Sequence, residues 1–166
     1  MQLTHYNTSF KKQTFPIVLV CDNVTNAPNI GSLFRICDAF GVEQLILCGE
    51  NIPLGRKMKK TSRATEKIVH YKTESSALAA VTQLKKDNFE IIALEITSKS
   101  KSISHHKFLN NKPIALIIGD ENFGVTQSIL QIADAIIHIE MFGQNSSMNV
   151  VQATNIALYE ITKQLL

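Results

Sequence analysis

Short runs of β-branched and other apolar residues recur along the chain: PIVLVC at 16–21, QLILC at 44–48, KIVHY at 67–71, FEIIAL at 89–94, PIALIIG at 113–119 and AIIHI at 135–139. Several show no in-and-out alternation, which is the pattern of strands covered on both faces. Helical periodicity fills the gaps between them. Ile30, Leu33, Phe34, Cys37 and Phe40 follow an i, i+3, i+4, i+7 stripe, and Gly41 stands where a glycine ends a helix. A second helix is predicted over residues 75–86, closing with Lys85 and Lys86, whose charges suit a helix C-terminus. From residue 150 onward the chain would be apolar around most of its circumference if helical, yet it follows directly on the polar run Gly143, Gln144, Asn145, Ser146 and Ser147. Residues 49–66 and 96–112 are polar and basic and are predicted as long loops.

Alternating strands and helices predict an α/β fold, a mostly parallel sheet flanked by helices, organised as one domain over residues 1–166. In such sheets ligands bind beyond the carboxyl ends of the strands. That places interest on the polar stretches that follow apolar runs.

The first such stretch is NVTNAPNIGSLFR. Asn29 is a candidate N-cap, Gly31 and Ser32 keep the first turn narrow, and free backbone N–H groups there favour an anion. Arg35 then projects from a helix whose neighbouring positions are apolar. A capped helix bearing a solvated arginine accounts for the same residues. The second stretch, IIGDENFG, runs from a strand into two acids between Gly119 and Gly124, with neither a dinucleotide fingerprint nor a phosphate-loop Lys-Ser/Thr pair. It reads as a tight turn presenting backbone groups at a strand end. In the third, Ser147 and Asn149 stand at a loop-to-helix junction, where capping accounts for one of them but not for the whole polar run.

Charge adds one local feature. The net charge of +3 is a weak indication of a polyanionic partner, but RKMKKTSR gathers Arg56, Lys57, Lys59, Lys60 and Arg63. That cluster reads as a phosphate-contact patch or as a solvated loop. Cys21, Cys37 and Cys48 lie within apolar patterns without C-x-x-C spacing and read as reduced core thiols. No signal-like stretch opens the chain, and no run approaches the ~20 apolar residues of a membrane span. A soluble cytoplasmic protein is expected.

Other chemistries lack anchors. No serine sits in a G-x-S-x-G elbow. His105 and His106 are adjacent and cannot share one helical metal face, and no H-E-x-x-H or paired-cysteine site is present, so no metal is expected. His5, His70 and His138 have no partner readable from sequence.

Taken in order, the three polar stretches resemble the three signature motifs of the SpoU family of tRNA and rRNA ribose 2′-O-methyltransferases, of the SPOUT class, from about Val18 to Glu160. Asn29, Gly31 and Arg35 fall at the family's asparagine, glycine and arginine; Gly119, Glu121 and Gly124 match G-x-E-x-x-G; Ser147-Met148-Asn149 stands for Ser-Leu-Asn. The resemblance implies a C-terminal deep trefoil knot, S-adenosyl-L-methionine as cofactor and a homodimer. It places the cofactor around Leu94, Glu95, Ile96, Ile118, Gly119, Gly124, Ile139, Met141 and Met148, and the catalytic roles on Arg35, Asn29, Glu121, Ser147 and Asn149. Glu121 would orient Arg35 through charge-assisted bonds.

The resemblance implies RNA as the partner, tRNA in preference to rRNA, contacted partly through the RKMKKTSR segment because the length leaves no room for a separate N-terminal RNA-binding domain. One position departs from the family: Ile139-Glu140-Met141 stands where the pattern is Ile-Pro-Met, and loss of a proline frees φ and adds a donor. That departure also suits a catalytically inactive RNA-binding relative. A receiver-like domain is disfavoured, because Asn23 follows Asp22 where an acidic pair is needed, and Asp120 and Glu121 occupy the place of a lysine.

Overall fold

In the computed structural model, which describes residues 2–4 and 6–166, the apolar runs become a seven-stranded sheet; His5 lies outside the described residues. In chain order the elements are β1 (Phe15–Asp22), α1 (Ala27–Ala39), β2 (Val42–Cys48), α2 (Arg56–Ser62), β3 (Tyr71–Glu74), α3 (Ala77–Lys86), β4 (Glu90–Leu94), β5 (Lys101–Ser102), β6 (Ile114–Gly119), α4 (Gln127–Ile132), β7 (Ala135–His138) and α5 (Val150–Leu165). The strand order is β3-β2-β1-β6-β4-β7-β5, and every pairing between these strands is parallel.

Side chains alternate across a strand, so the uninterrupted apolar run of β1 serves two cores at once. Ile17, Leu19 and Cys21 join Ile30, Leu33 and Phe34 of α1, Met58 of α2 and Ala157, Leu158 and Ile161 of α5. Val18 and Val20 face the opposite way, onto Val81 and Leu84 of α3 and Ile129 of α4. Burying each such aliphatic side chain contributes about 1.5–3 kcal/mol. The unalternating sequence pattern is thus the mark of a sheet covered on both faces. No helix among the described residues is long and apolar enough to cross a membrane.

Local departures from the expected elements have identifiable causes. The KIVHY run is not a strand through residues 67–71. The N–H groups of Lys67 and Ile68 turn back onto the carbonyls of Ala64 and Thr65, closing a 3₁₀ turn over Thr65–Lys67, and β3 starts only at Tyr71. The basic segment is not a loop: Met58 and Ser62, four residues apart on one helical face, are buried and hold α2 against the protein. The 96–112 connection likewise contains β5 and a 3₁₀ turn. Asn29 is not a cap. Asn26 caps α1, its side chain accepting from the Asn29 N–H at 3.0 Å, because Pro28 suits the first turn and moves the helix start upstream.

Candidate functional site

Displacing the cap to Asn26 releases the Asn29 side chain for another task. Its Nδ2 donates to Glu121 Oε1 at 3.2 Å. Glu121 follows the end of β6, and the same oxygen accepts from Asn149 Nδ2 at 2.7 Å and from the Val150 N–H at 3.4 Å. Asn149 is the N-cap of α5: its Oδ1 accepts from the N–H groups of Val151 at 2.9 Å and Gln152 at 3.4 Å. One end of this amide therefore secures a helix while the other reaches Glu121, and also lies 3.4 Å from Asn29 Oδ1. One carboxylate oxygen gathers a residue from each of the other two polar stretches, through charge-assisted bonds stronger than neutral ones.

Beside this cluster lies a cleft of about 150 Å³, at the carboxyl ends of β4, β6 and β7. Leu94, Glu95 and Ile96 form one wall, Ile118 and Gly119 another, Ile139 and Met141 a third, and the returning chain contributes Ser147 and Met148. Glu121 lines it too. Gly119 is required by contact: a Cβ there would lie 2.1 Å from the Gly124 carbonyl carbon. Gly124 is absent from the lining. With φ of +66° and a hypothetical Cβ 2.3 Å from Glu95 Oε2, it lets Glu95 approach and accept from the Val125 N–H at 2.9 Å. Its position points to holding the loop rather than facing the cleft.

A buried carboxylate steadies the neighbouring helix. Asp22, at the end of β1 and 2% exposed, accepts from the Thr126 N–H at 2.8 Å and its hydroxyl at 2.6 Å. His138 lines the cleft with Nδ1 2.9 Å from Ser100 Oγ. Nothing in the local sequence names Ser100 as the partner of this histidine; its place just before Ile139 is the signal that brings it to the cleft. Glu140 is exposed and absent from the cleft lining. Among the described residues no group of His, Cys, Asp and Glu is arranged to hold a metal ion.

Arg35 stands apart. It is exposed and borders a shallow groove with Ser32, Ile36, Ala39 and Val151. It forms no ion pair with Glu121, contrary to the expected orienting bond. The reason is helical geometry: six residues past Asn29 correspond to a rotation of about 240°, so the two side chains leave α1 on different faces. Gly31 has a third task. A Cβ there would lie 1.9 Å from Thr61 Oγ1 and 2.3 Å from the Met58 carbonyl oxygen, so the missing side chain is what admits α2. Thr61 Oγ1 donates to the Pro28 carbonyl at 3.1 Å, which seats α2 beside the turn carrying Asn29. Arg56, Lys57, Lys59, Lys60 and Arg63 are all exposed there.

Residues 16–159 match the profile of the family described as the SpoU rRNA Methylase family. The tRNA (guanosine(18)-2′-O)-methyltransferase of Aquifex aeolicus is 29% identical over 154 residues, covering 93% of this chain and 72% of that protein. The 23S rRNA (guanosine-2′-O-)-methyltransferase RlmB of Haemophilus influenzae is 31% identical over 157 residues, 91% of this chain and 61% of that protein. The crystal structure of the A. aeolicus TrmH/SpoU tRNA modifying enzyme superposes with a TM-score of 0.83 at 29% identity, covering 92% of this chain and 77% of that one. An AdoMet-bound rRNA methyltransferase from Sinorhizobium meliloti shares the fold, with a TM-score of 0.84 at 22% identity over 95% of this chain and 59% of that one.

Proposed function

The chain belongs to the SpoU rRNA methylase family, and on that premise we propose that it transfers a methyl group from S-adenosyl-L-methionine to a ribose 2′-hydroxyl of RNA, tRNA in preference to rRNA. The observation that carries this reading is the convergence of Asn29, Glu121 and Asn149 beside the cleft at the carboxyl ends of β4, β6 and β7. The preference for tRNA follows the A. aeolicus relative, which is named for tRNA.

The cleft fits the cofactor in kind. Leu94, Ile118, Ile139 and Met141 would offer apolar walls to a purine, and the carboxylates of Asp120 and Glu121, which also line the cleft, would suit a cationic donor. Gly124 supports this cleft through Glu95 rather than by lining it. When bound, S-adenosyl-L-methionine supplies an electrophilic methyl group on a sulfonium. The protein's own part is positioning and charge stabilisation. Asn29, Ser147 and Asn149 hold the ribose and its phosphate.

Arg35 clamps the substrate phosphate and stabilises negative charge growing on the 2′ oxygen, while that phosphate or solvent takes the proton. Deprotonating a guanidinium with a pKa above ~12 would cost roughly 7 kcal/mol at neutral pH, which argues against the arginine as the base. Its exposure beside Val151, with Ile156 and Tyr159 also exposed on α5, supports a homodimer in which a second copy covers this face and completes the site. The exposed cations of α2 contact the RNA backbone, and an RNA substrate of this kind sets the protein in the cytoplasm. The return of residues 139–149 from β7 to Glu121 supports the C-terminal knot of the family.

Transfer of a labelled methyl group from S-adenosyl-L-methionine to unmodified tRNA and rRNA, followed by nucleoside analysis, tests the reading. Label in a 2′-O-methylated nucleoside is expected; absence of both transfer and donor binding would overturn it. In the same assay Arg35→Lys, which keeps the charge and loses the planar fork, should lower the rate on the order of 10² with donor binding unchanged.

A further inference from the structure

Phe123 and Phe142 are 91% and 94% exposed. Phe15, Phe34 and Phe108 are buried in the core. A lone exposed apolar side chain needs no explanation, but these two occupy the two loops that border one cleft. Phe123 lies two residues beyond Glu121, and Phe142 directly follows Met141, which lines the cleft. With about 3.8 Å between successive Cα atoms, both rings stem from backbone at the cleft rim.

Phe123 is also held firmly. Asp120 Oδ1 accepts from the N–H groups of Asn122 at 2.8 Å and Phe123 at 3.1 Å, and the Gly124 N–H donates to the Asp120 carbonyl at 2.8 Å. The backbone N–H groups of Asn122, Phe123 and Gly124 are satisfied within the turn and its apolar ring is turned outward, so little backbone entropy remains to be lost when the ring is covered. Adjoining the same cluster is α2 with its exposed cations, seated by the Thr61 bond to Pro28 one residue before Asn29. Cations that neutralise phosphates, a polar cluster that holds a ribose, and exposed aromatic faces, one of them on a fixed turn, are the parts that bind unpaired nucleotides, because every base has a face to stack.

We infer that Phe123 and Phe142 are base-stacking platforms that hold the nucleotides flanking the target ribose out of their own stack, making an unpaired RNA segment the substrate. This rests on the function proposed above. A second copy of the chain is the less suited occupant: Glu121 and Asn122 before one ring and Gly143, Gln144 and Asn145 after the other are polar or glycine and exposed, whereas α5 already presents Ile156 and Tyr159 for such a contact.

The test compares Phe123→Ala, Phe142→Ala and the corresponding Phe→Tyr variants in methyl transfer to tRNA, alongside S-adenosyl-L-methionine binding by calorimetry and oligomeric state by sedimentation. Each alanine should raise the KM for tRNA roughly tenfold or more, tyrosine should restore it, and donor affinity and sedimentation should match the parent protein. An unchanged KM would overturn the inference, as would a changed oligomeric state, which would assign the rings to a protein interface. Lost donor binding would assign them to the cleft wall and overturn it equally. Should the parent protein transfer no methyl group, anisotropy with a labelled RNA hairpin separates the two readings. Binding by the parent that weakens in the alanine variants and returns with tyrosine would keep the platforms while the methyltransferase reading fails; binding that ignores both rings would remove them.

Discussion

The cleft at the carboxyl ends of β4, β6 and β7 holds about 150 Å³, whereas the groove beside α3, over β2 and β3, holds about 480 Å³. The larger hollow is the poorer site. Most of its polar contacts are local: Lys72 pairs with Glu74 on the same strand at 2.9 Å and Gln83 donates to Asp87 one helical turn on at 3.0 Å, while Gln44 meets His70, 26 positions on, at 3.5 Å. Beside the smaller one meet residues 92 and 120 positions apart, Asn29 with Glu121, which lines it, and Asn29 with Asn149. Volume there reflects an uncovered sheet edge, while convergence of remote polar groups requires the chain to be brought back on itself. Where polar atoms meet from distant segments without a secondary-structure need, chemistry is the better explanation.

The contrast can be broken most severely at Glu121. Glu121→Ala removes the common acceptor of Asn29 and Asn149, and transfer should fall on the order of 10²–10³ while the thermal midpoint moves little. A variant retaining more than a tenth of the rate would reduce the cluster to a structural staple. Gly31→Ala has the next largest effect, on stability. Its Cβ would press on Thr61 and the Met58 carbonyl, and denaturant titration should show a loss of about 1–3 kcal/mol with weaker RNA binding. Unaltered unfolding would mean that α2 is free to shift.

A third prediction concerns a histidine that lines neither hollow. Burial, with Lys101 adding to it against an opposing effect of Glu90, lowers the pKa of His106, whose Nε2 is buried without a hydrogen-bond partner among the described residues. The folded-state pKa lies below the unfolded value, so below about pH 6.5 the unfolded chain binds the extra proton and the folded one resists it. Stability should therefore fall as the pH drops from about 6.5 toward the folded pKa, and His106→Phe should flatten that part of a stability–pH curve while transfer at neutral pH is unchanged. The smallest effect belongs to the larger groove. Lys72→Ala breaks an ion pair whose partners are 48% and 41% exposed, so stability should change by less than about 1 kcal/mol and transfer should stay at the parental rate. A slowed transfer would give that groove a part in the reaction.

Much of the fold was legible because burial leaves a local imprint. Unalternating runs such as 113–119 mark strands with helices on both faces, and the stripe from Ile30 to Phe40 marks a helix with one buried side. KIVHY misled for the same reason. Val69 is buried, but an apolar run says nothing of where its N–H groups turn, and here they turn back after the left-handed pair Arg63 and Ala64, with φ of 50° and 66°. The basic segment misled in the other direction, since its cations hide that Met58 and Ser62 share a face.

The sequence by itself determined the alternation of strands and helices, the residue types of the three polar stretches and their order, because these depend on periodicity and side-chain chemistry that each segment carries alone. Only the tertiary structure decided that Asn26 would cap α1 and leave Asn29 for Glu121, that Gly31 would be a seat for α2, that Gly124 would make room for Glu95, and that Arg35 would face away from the cluster. Each of those outcomes depends on which distant backbone arrives within a few ångströms, and close packing admits that approach only where a side chain is missing or a polar group is left over.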